Sequence, residues 1–301
     1  MNLRDLRYIV ALAEHGHFGK AAEACHASQP TLSGQILKLE EELGIAIFER
    51  SGRSVKVTAA GADILAHARR AIAEADEIQA IAKASRDPLA GPLNLGVIPT
   101  LCPYLMPFIL PRLADELPKM PLVLTEDLTE RLVDGVVTGR LDAALIASEP
   151  QAPGLVSDIL FDEVFQLALP ANHRLAKQTA IATKDIDPQS LLLLTDGHCL
   201  RDQALTLCGA AGLSSEVRAD MRAASLETLM QMTAAGYGMT LIPALALAEG
   251  KVLPKNLVIR KLKDTAMKRQ IRLVSRQKYP RAKAVEALGK LVKAGVGSQI
   301  A

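Results

Sequence analysis

Cysteine is scarce: the 301-residue chain has four, Cys25, Cys102, Cys199 and Cys208, too few for a disulfide-held scaffold. No set of cysteines and histidines has zinc spacing, because His15, His17 and His26 stand apart from any cysteine pair, so neither a metal nor a cofactor is expected. Charge of one sign is lacking as well. Lys+Arg 35 against Asp+Glu 33 leaves +2, so bulk charge argues for neither nucleic acid nor an anionic membrane, and any such partner has to be found locally. Long unbroken apolar runs are also missing. The uncharged stretch from Pro88 to Pro111 contains six prolines, expected to break a spanning helix repeatedly. The stretch from Thr228 to Ala248 is interrupted by Gly236, Gly238 and Pro243, and reads as a helix, a turn and a buried strand. Arg4, Asp5, Arg7 and Glu14 surround only a short apolar run, so no signal peptide is expected. A soluble cytoplasmic protein with no membrane partner follows, in which thiols are core residues, metal ligands or redox groups rather than structural bridges.

What the sequence does have is patterning. Hydrophobic residues make up 49% and charged ones 23%, enough to bury substantial cores, and the length fits two or three domains better than one. Three helical patterns occupy the first 58 residues. Leu6, Ile9, Val10 and Ala13 give the first an apolar face that stops near Gly16, and Lys20 to Cys25 make a short second helix of small residues. Ser28 reads as the N-cap of the third, with Pro30 in its first turn. Leu32, Ile36, Leu39 and Leu43 stripe this helix up to Gly44, leaving Gln29, Thr31, Ser33, Gln35 and Lys38 off the stripe. Arg50 to Ser54 then separate two β-like runs, as in a hairpin wing. A short helix, a tight turn and such a second helix fit a helix-turn-helix entering the major groove. Hydroxyls and amides there read base edges, while Arg50 and Arg53 reach phosphates or the minor groove. Through residue 58 seven basic residues, Arg4 among them, meet seven acidic ones, so the basic ones must be segregated onto one face. An ordinary three-helix packing unit is the alternative.

From Ala59 to about Arg86 a long helix carries Ile64, Ala68, Ala71, Ala75, Ile78 and Ala82 at spacings of four and three. That seam predicts pairing between chains, against packing on its own domain. Beyond it, the strand candidates are Leu93 to Ile98, Leu122 to Leu124, Ala143 to Ile146, Val164 to Leu169, Leu191 to Leu194, Thr240 to Ile242 and Ile271 to Val274. Their apolar character predicts parallel sheets covered on both faces, hence an α/β architecture. The expected division is 1–58 for DNA binding, 59–88 for the long pairing helix and 89–301 for a two-lobed α/β domain; the linker and regulatory roles of the last two are what the resemblance described below implies. Lobe I takes about 92–164 and 266–301 and lobe II about 165–265, with crossings near 165 and 265.

Phe18-x-x-Ala21-Ala22, Ser28-Gln29-Pro30-Thr31-Leu32-Ser33-x-Gln35-Ile36, Leu39-Glu40, Leu43-Gly44, Phe48-x-Arg50 and Thr58-x-Ala60-Gly61 closely resemble the LysR-type bacterial transcription regulators. The resemblance implies an all-α winged helix-turn-helix that binds promoter DNA through Arg4, Gln29, Pro30, Thr31, Ser33, Gln35, Lys38, Arg50 and Arg53. It also implies a dimerising linker helix, a two-lobed effector domain similar to periplasmic binding proteins, a homodimer or homotetramer, and RNA polymerase as a partner. Gly236 to Pro243 resembles the family's late helix-to-strand crossing, and its Gly-x-Gly lacks the third glycine of a dinucleotide loop.

Most members of that family take a small carboxylate between the lobes. Thr195 to Cys208, together with Ile98-Pro99-Thr100, Thr129 and Ala224 to Leu229, resembles instead its peroxide-sensing branch. That implies Cys199 as the peroxidatic thiol and Cys208 as its resolving partner, with Thr100, Thr129, His198 and Arg269 around the peroxide. The residue types suit the task. A thiolate attacks peroxide, His198 and Arg201 stand close enough in sequence to raise the thiolate fraction, and a sulfenic acid condenses with a second thiol before over-oxidation. If residues 199 to 208 are helical, nine steps of ~1.5 Å hold the two Cα atoms about 13 Å apart. A disulfide needs roughly 4.4 to 6.8 Å, so oxidation must refold the segment, and a cytosolic thiol reductant reverses it. Cys25 reads as packing and Cys102 has no assigned role. Two rivals stand: a regulator that binds an organic anion between its lobes, with structural cysteines, and a thiol peroxidase, disfavoured by the helix-turn-helix and by the lack of a peroxidase motif. The expected protein is a regulator and not an enzyme.

Overall fold

The first helix, α1 (Leu3–His15), starts on a reciprocal cap. Asn2 Oδ1 accepts from the N–H groups of Arg4 and Asp5 at 2.9 and 3.1 Å, and Asp5 Oδ2 accepts from that of Asn2 at 2.9 Å. The structure, a computed structural model, describes residues 1–51, 54–84, 87–207, 222–248, 250, 252–263 and 268–297. The chain divides into two compact units, the first built on residues 1–86 and the second on 87–137 and 141–301.

In the first unit α1 packs against α2 (Phe18–Ala24), α3 (Gln29–Leu43) and α4 (Ala59–Ala84). Contact on several sides widens its buried face beyond the expected stripe: Tyr8, Ala11 and Leu12 join Leu6 and Ile9 in the core, while Val10 and Ala13 are only partly buried. Ser28 caps α3 as expected, its Oγ accepting from Thr31 N at 3.2 Å. Leu32, Ile36 and Leu39 are buried, whereas Leu43 in the last turn is exposed. β1 (Phe48–Ser51) and β2 (Ser54–Val57) form the antiparallel wing. Glu40 Oε1 ties α3 to it by accepting from Ile47 N and Phe48 N at 2.8 and 3.0 Å. Thr58 Oγ1 donates to Ala46 O at 2.9 Å and accepts from Gly61 N at 2.8 Å, and a Cβ on Gly61 would collide with the Ile47 carbonyl oxygen. This close approach explains the Thr58-x-Ala60-Gly61 motif. On α4 the residues that join the core are Leu65 and Ala68, with Ile64 and Ile72 partly covered, while Ala71 is exposed and Ile78 is 70% exposed.

The second unit holds a mixed sheet rather than the expected parallel ones. β3 (Leu93–Val97), β4 (Leu122–Glu126) and β5 (Ala143–Ile146) run parallel in the order β4-β3-β5. β12 (Lys268–Arg276) then adds antiparallel to β5 and to β6 (Leu155–Pro170). β10 (Thr240–Pro243) and β11 (Leu257–Leu262) pair antiparallel with β6, and β7 (Ala180–Ile181) pairs parallel with β11. β8 (Leu193–Leu194) and β9 (Arg222–Ala223) form a separate parallel pair. The antiparallel pairs arise because β6 is one continuous strand running from lobe I into lobe II, beside which the chain returns. Its partner changes from Lys268 at Val164 to Pro243 at Phe165, where the first crossing was expected. The second expected crossing, near 265, lies outside the described residues.

The flanking helices are α5 (Cys102–Glu116), α6 (Thr129–Val137), α7 (Cys199–Leu207), α8 (Leu226–Ala234) and α9 (Ala282–Val296). α5 runs through Pro107 and Pro111, two of the six prolines expected to rule out a membrane-spanning helix here. Pro103, Pro107 and Pro111 recur every fourth residue on the exposed side, where carbonyls left without their N–H partners meet water. Among the described residues no helix is long and apolar enough to cross a membrane.

Candidate functional site

In the first unit the off-stripe residues of α3 flank its buried stripe, Gln29 and Ser33 on one side and Thr31, Gln35 and Lys38 on the other. Gln29, Pro30, Thr31 and Lys38 are exposed, Ser33 and Gln35 are half-buried, and Arg4 is exposed in the first turn of α1. The Thr31 hydroxyl lies 2.7 Å from Ser28 Oγ, so part of its hydrogen-bonding capacity belongs to the cap. Arg53 and the Arg50 side chain lie outside the described residues.

In the second unit Cys199 is the first residue of α7, reached from β8 through Gly197, which has φ +90°. A Cβ there would also press on Leu128. Arg201 is only 4% exposed and folds back on this loop: its Nε lies 3.0 Å from Asp196 Oδ1, and its Nη1 donates to Leu194 O at 3.4 Å. Burial lowers the pKa of His198, which favours the neutral ring. Arg201 is thus paired away from the thiol, and a neutral His198 lends it no charge. The cation that Cys199 feels is Arg269. It lies within β12 and faces Cys199 from 70 positions away.

Arg269 is held on every side. Its Nε donates to Glu163 Oε2 at 2.8 Å, its Nη1 to Thr100 Oγ1 at 2.9 Å and its Nη2 to Thr100 O at 3.0 Å. Glu163 Oε1 accepts in turn from Leu245 N at 2.8 Å. Burial pushes the Cys199 thiol up, while Arg269, the Thr129 hydroxyl and the Leu200 N–H favour the thiolate without overcoming it; Asp202 opposes them. Thr129 Oγ1 is itself buried and makes no hydrogen bond of ordinary geometry among the described residues. The tertiary fold thus brings together Thr100, Thr129, Cys199 and Arg269, four residues expected from the sequence, with His198 beside them. Cys208 lies outside the described residues.

Glu163 and the Leu245 amide were not expected. Glu163 faces Arg269 in the β6–β12 register, a pairing invisible until the strands are aligned. Tyr104 was not expected, and Glu227, part of the Ala224 to Leu229 match but given no role there, accepts from the buried Tyr104 hydroxyl at 2.5 Å. Burial and the neighbouring Glu126 push the Cys102 thiol up to about 12, the setting of an inert core cysteine. Cys25 behaves similarly: burial pushes its thiol up, and its Sγ lies 4.0 Å from Arg7 O.

Cys199 and Thr129 open onto a cavity of about 780 Å³. Glu130, Asp134, Glu149 and Asp202 line it, with no lysine or arginine in its wall among the described residues, and Glu149 is paired with Arg272 at 2.6 Å. Among the described residues no three histidine, cysteine, aspartate or glutamate side chains cluster as a metal would require.

Residues 3–62 match the bacterial regulatory helix-turn-helix protein family of lysR type, and residues 86–297 match the LysR substrate binding domain. The hydrogen peroxide-inducible genes activator of Dickeya chrysanthemi is 42% identical over 252 residues, 84% of this chain and 82% of its own. A full-length cysteine-to-aspartate variant of OxyR from Pseudomonas aeruginosa is similar with a TM-score of 0.77 at 38% identity, covering 97% of this chain and 98% of that one. A cysteine-to-serine variant of OxyR from Corynebacterium glutamicum, with hydrogen peroxide bound, gives 0.67 at 34% identity over 99% and 94%. Matched in both of its units and along nearly its whole length, the chain belongs to the LysR family of bacterial transcription regulators, in the OxyR group of hydrogen peroxide-inducible genes activators.

Proposed function

We propose that this regulator senses hydrogen peroxide by oxidation of Cys199 and responds through a disulfide between Cys199 and Cys208 that changes promoter activity. The observation that carries the reading is the setting of Cys199: a thiol at a helix N-terminus, open to a cavity and facing both Arg269 and Thr129. The thiolate attacks one peroxide oxygen, the O–O bond breaks, and the departing hydroxide takes a proton to leave as water. Thr100, Thr129, neutral His198 and Arg269 supply the donors and charge that position the peroxide and stabilise the leaving oxygen. The Cys208 thiol then displaces a second water from the sulfenic acid to form the bridge, and a cytosolic thiol reductant returns two electrons to reopen it. α7 is helical from Cys199 to Leu207, so closing the bridge requires the segment to unwind.

Residues 1–58 read promoter DNA in this proposal, with Arg4, Gln29, Pro30, Thr31, Ser33, Gln35, Lys38, Arg50 and Arg53 at the interface. Residues 59–88 join two or four copies through the α4 seam, whose exposed Ile78 supports a partner helix. Residues 89–301 are the sensor. The complex works on RNA polymerase in the cytoplasm and consumes peroxide as a signal, not as an enzyme's substrate. The carboxylate-rich wall of the cavity disfavours the rival reading, because an organic-anion site calls for cations.

Brief exposure of the reduced protein to near-stoichiometric peroxide, followed by non-reducing peptide mapping, tests the reading. The expected product links the Cys199 and Cys208 peptides. Recovery of Cys199 as a free thiol, with stabilisation by a metabolite instead, points to the anion-binding regulator.

A further inference from the structure

The peroxide chemistry uses Arg269 but leaves Glu163 without a task. Both side chains are 0% exposed. A buried guanidinium requires a counter-charge, and leaving it unpaired is strongly unfavourable. The Glu163 carboxylate supplies one, and the Cys199 thiolate, which also feels Arg269, is a second candidate. Glu163 has the guanidinium in the structure, with one oxygen on Arg269 Nε and the other on Leu245 N, each at 2.8 Å. The two Nη groups are committed to Thr100.

We infer that Glu163 is a positioning residue that competes with the Cys199 thiolate for Arg269, and so holds the resting sensor at low reactivity. The carboxylate also grips lobe II at Leu245, and Arg269 grips lobe I at Thr100, so the competition is set where the lobes meet. The groups facing the thiol are Arg269 from β12, Thr129 from α6, and Asp202 and the Leu200 N–H from its own helix. Those facing Arg269 are Glu163 from β6, Thr100 from the loop before α5, and Tyr104 of α5, whose hydroxyl donates to Glu227.

The inference rests on Cys199 as the reactive thiol, but its test uses no peroxide, so the two readings fail separately. The reduced full-length protein and its E163Q, E163D and E163Q/R269Q variants are pulse-labelled with neutral iodoacetamide across a pH series, and Cys199 and Cys102 are quantified by peptide mass spectrometry. Glu163→Gln frees Arg269 for the thiolate, so Cys199 should label several-fold faster at neutral pH, with its pH midpoint lowered and Cys102 unchanged. Glu163→Asp keeps the charge but is one methylene short of holding both anchors, so it should give a smaller gain in a protein that still has a charged pair. The double variant should lose the gain. Unchanged Cys199 labelling in both single variants overturns the inference. Equal acceleration of Cys102 does so too, because it reports general loosening, as does a gain that survives removal of Arg269.

Discussion

The two units use polar residues in opposite ways. In the first, the candidate DNA-reading groups Gln29, Thr31 and Lys38 are neighbours in sequence, exposed, and separate from the core formed by Leu32, Ile36 and Leu39. In the second, Thr100, Glu163, His198 and Arg269 are buried polar residues drawn from distant segments. A water-facing surface can change a contact without disturbing the fold. A buried polar site cannot, because each group removed leaves another unsatisfied.

The sharpest separation of the units is Cys199→Ser. It should abolish the peroxide response while leaving DNA binding by the reduced protein intact, as read by footprinting before and after peroxide. Cys208→Ser should still form the sulfenic acid and then over-oxidise to sulfinic acid, visible in the intact mass. A Cys199→Ser protein that still responds to peroxide contradicts the sensor assignment.

Next in size is Arg269→Gln, which strands the Glu163 carboxylate in the interior. Chemical denaturation followed by circular dichroism should show a loss of about 3 to 5 kcal/mol. A loss below about 1 kcal/mol would mean that water reaches the pair, and the contrast between the units would weaken.

Thr31→Ala tests the exposed unit, where the expected loss is on the order of 1 to 3 kcal/mol in discrimination between DNA sites if a base contact is removed. Global stability should fall less, through the Ser28–Thr31 hydroxyl contact alone. Equal weakening on all sequences would assign Thr31 to the backbone instead. Lys38→Ala should do the latter, and should flatten the dependence of binding on salt by about one phosphate contact.

The smallest step is in pH. The Cys199 pKa is raised, and the reactive form is the deprotonated one, so thiolate is the minor species at neutral pH. The oxidation rate should therefore climb about tenfold per pH unit and level off only above the ordinary thiol range. Stopped-flow oxidation at fixed peroxide measures this, and a flat profile across neutral pH would show a thiol already ionised. His198 acts in the other sense: its pKa is lowered in the folded chain, so its contribution to stability is present above the unfolded value and declines as pH falls below it.

The amino-acid sequence by itself determined the helix-turn-helix, because a helical stripe, an N-cap at Ser28 and a stop at Gly44 are local signals set by neighbouring residues. It also marked the apolar strands β3, β5 and β10, whose side chains are buried whichever way they pair. It did not reveal β11 or the part of β6 before Val164, where Arg260, Lys261, Asp158 and Glu163 interrupt the apolar pattern, nor the mixed strand directions, which depend on where the chain returns. Around the thiol, closeness along the chain suggested Arg201 as an activating charge, whereas Arg269 was named only through the family resemblance. Arg201 turns back to Asp196, while the charge at Cys199 comes from Arg269 across the sheet, fixed by Glu163 in a strand register that only the tertiary structure decided. The physical reason is that a buried charge must find its partner in space, and nothing in a linear sequence records which strand will lie alongside.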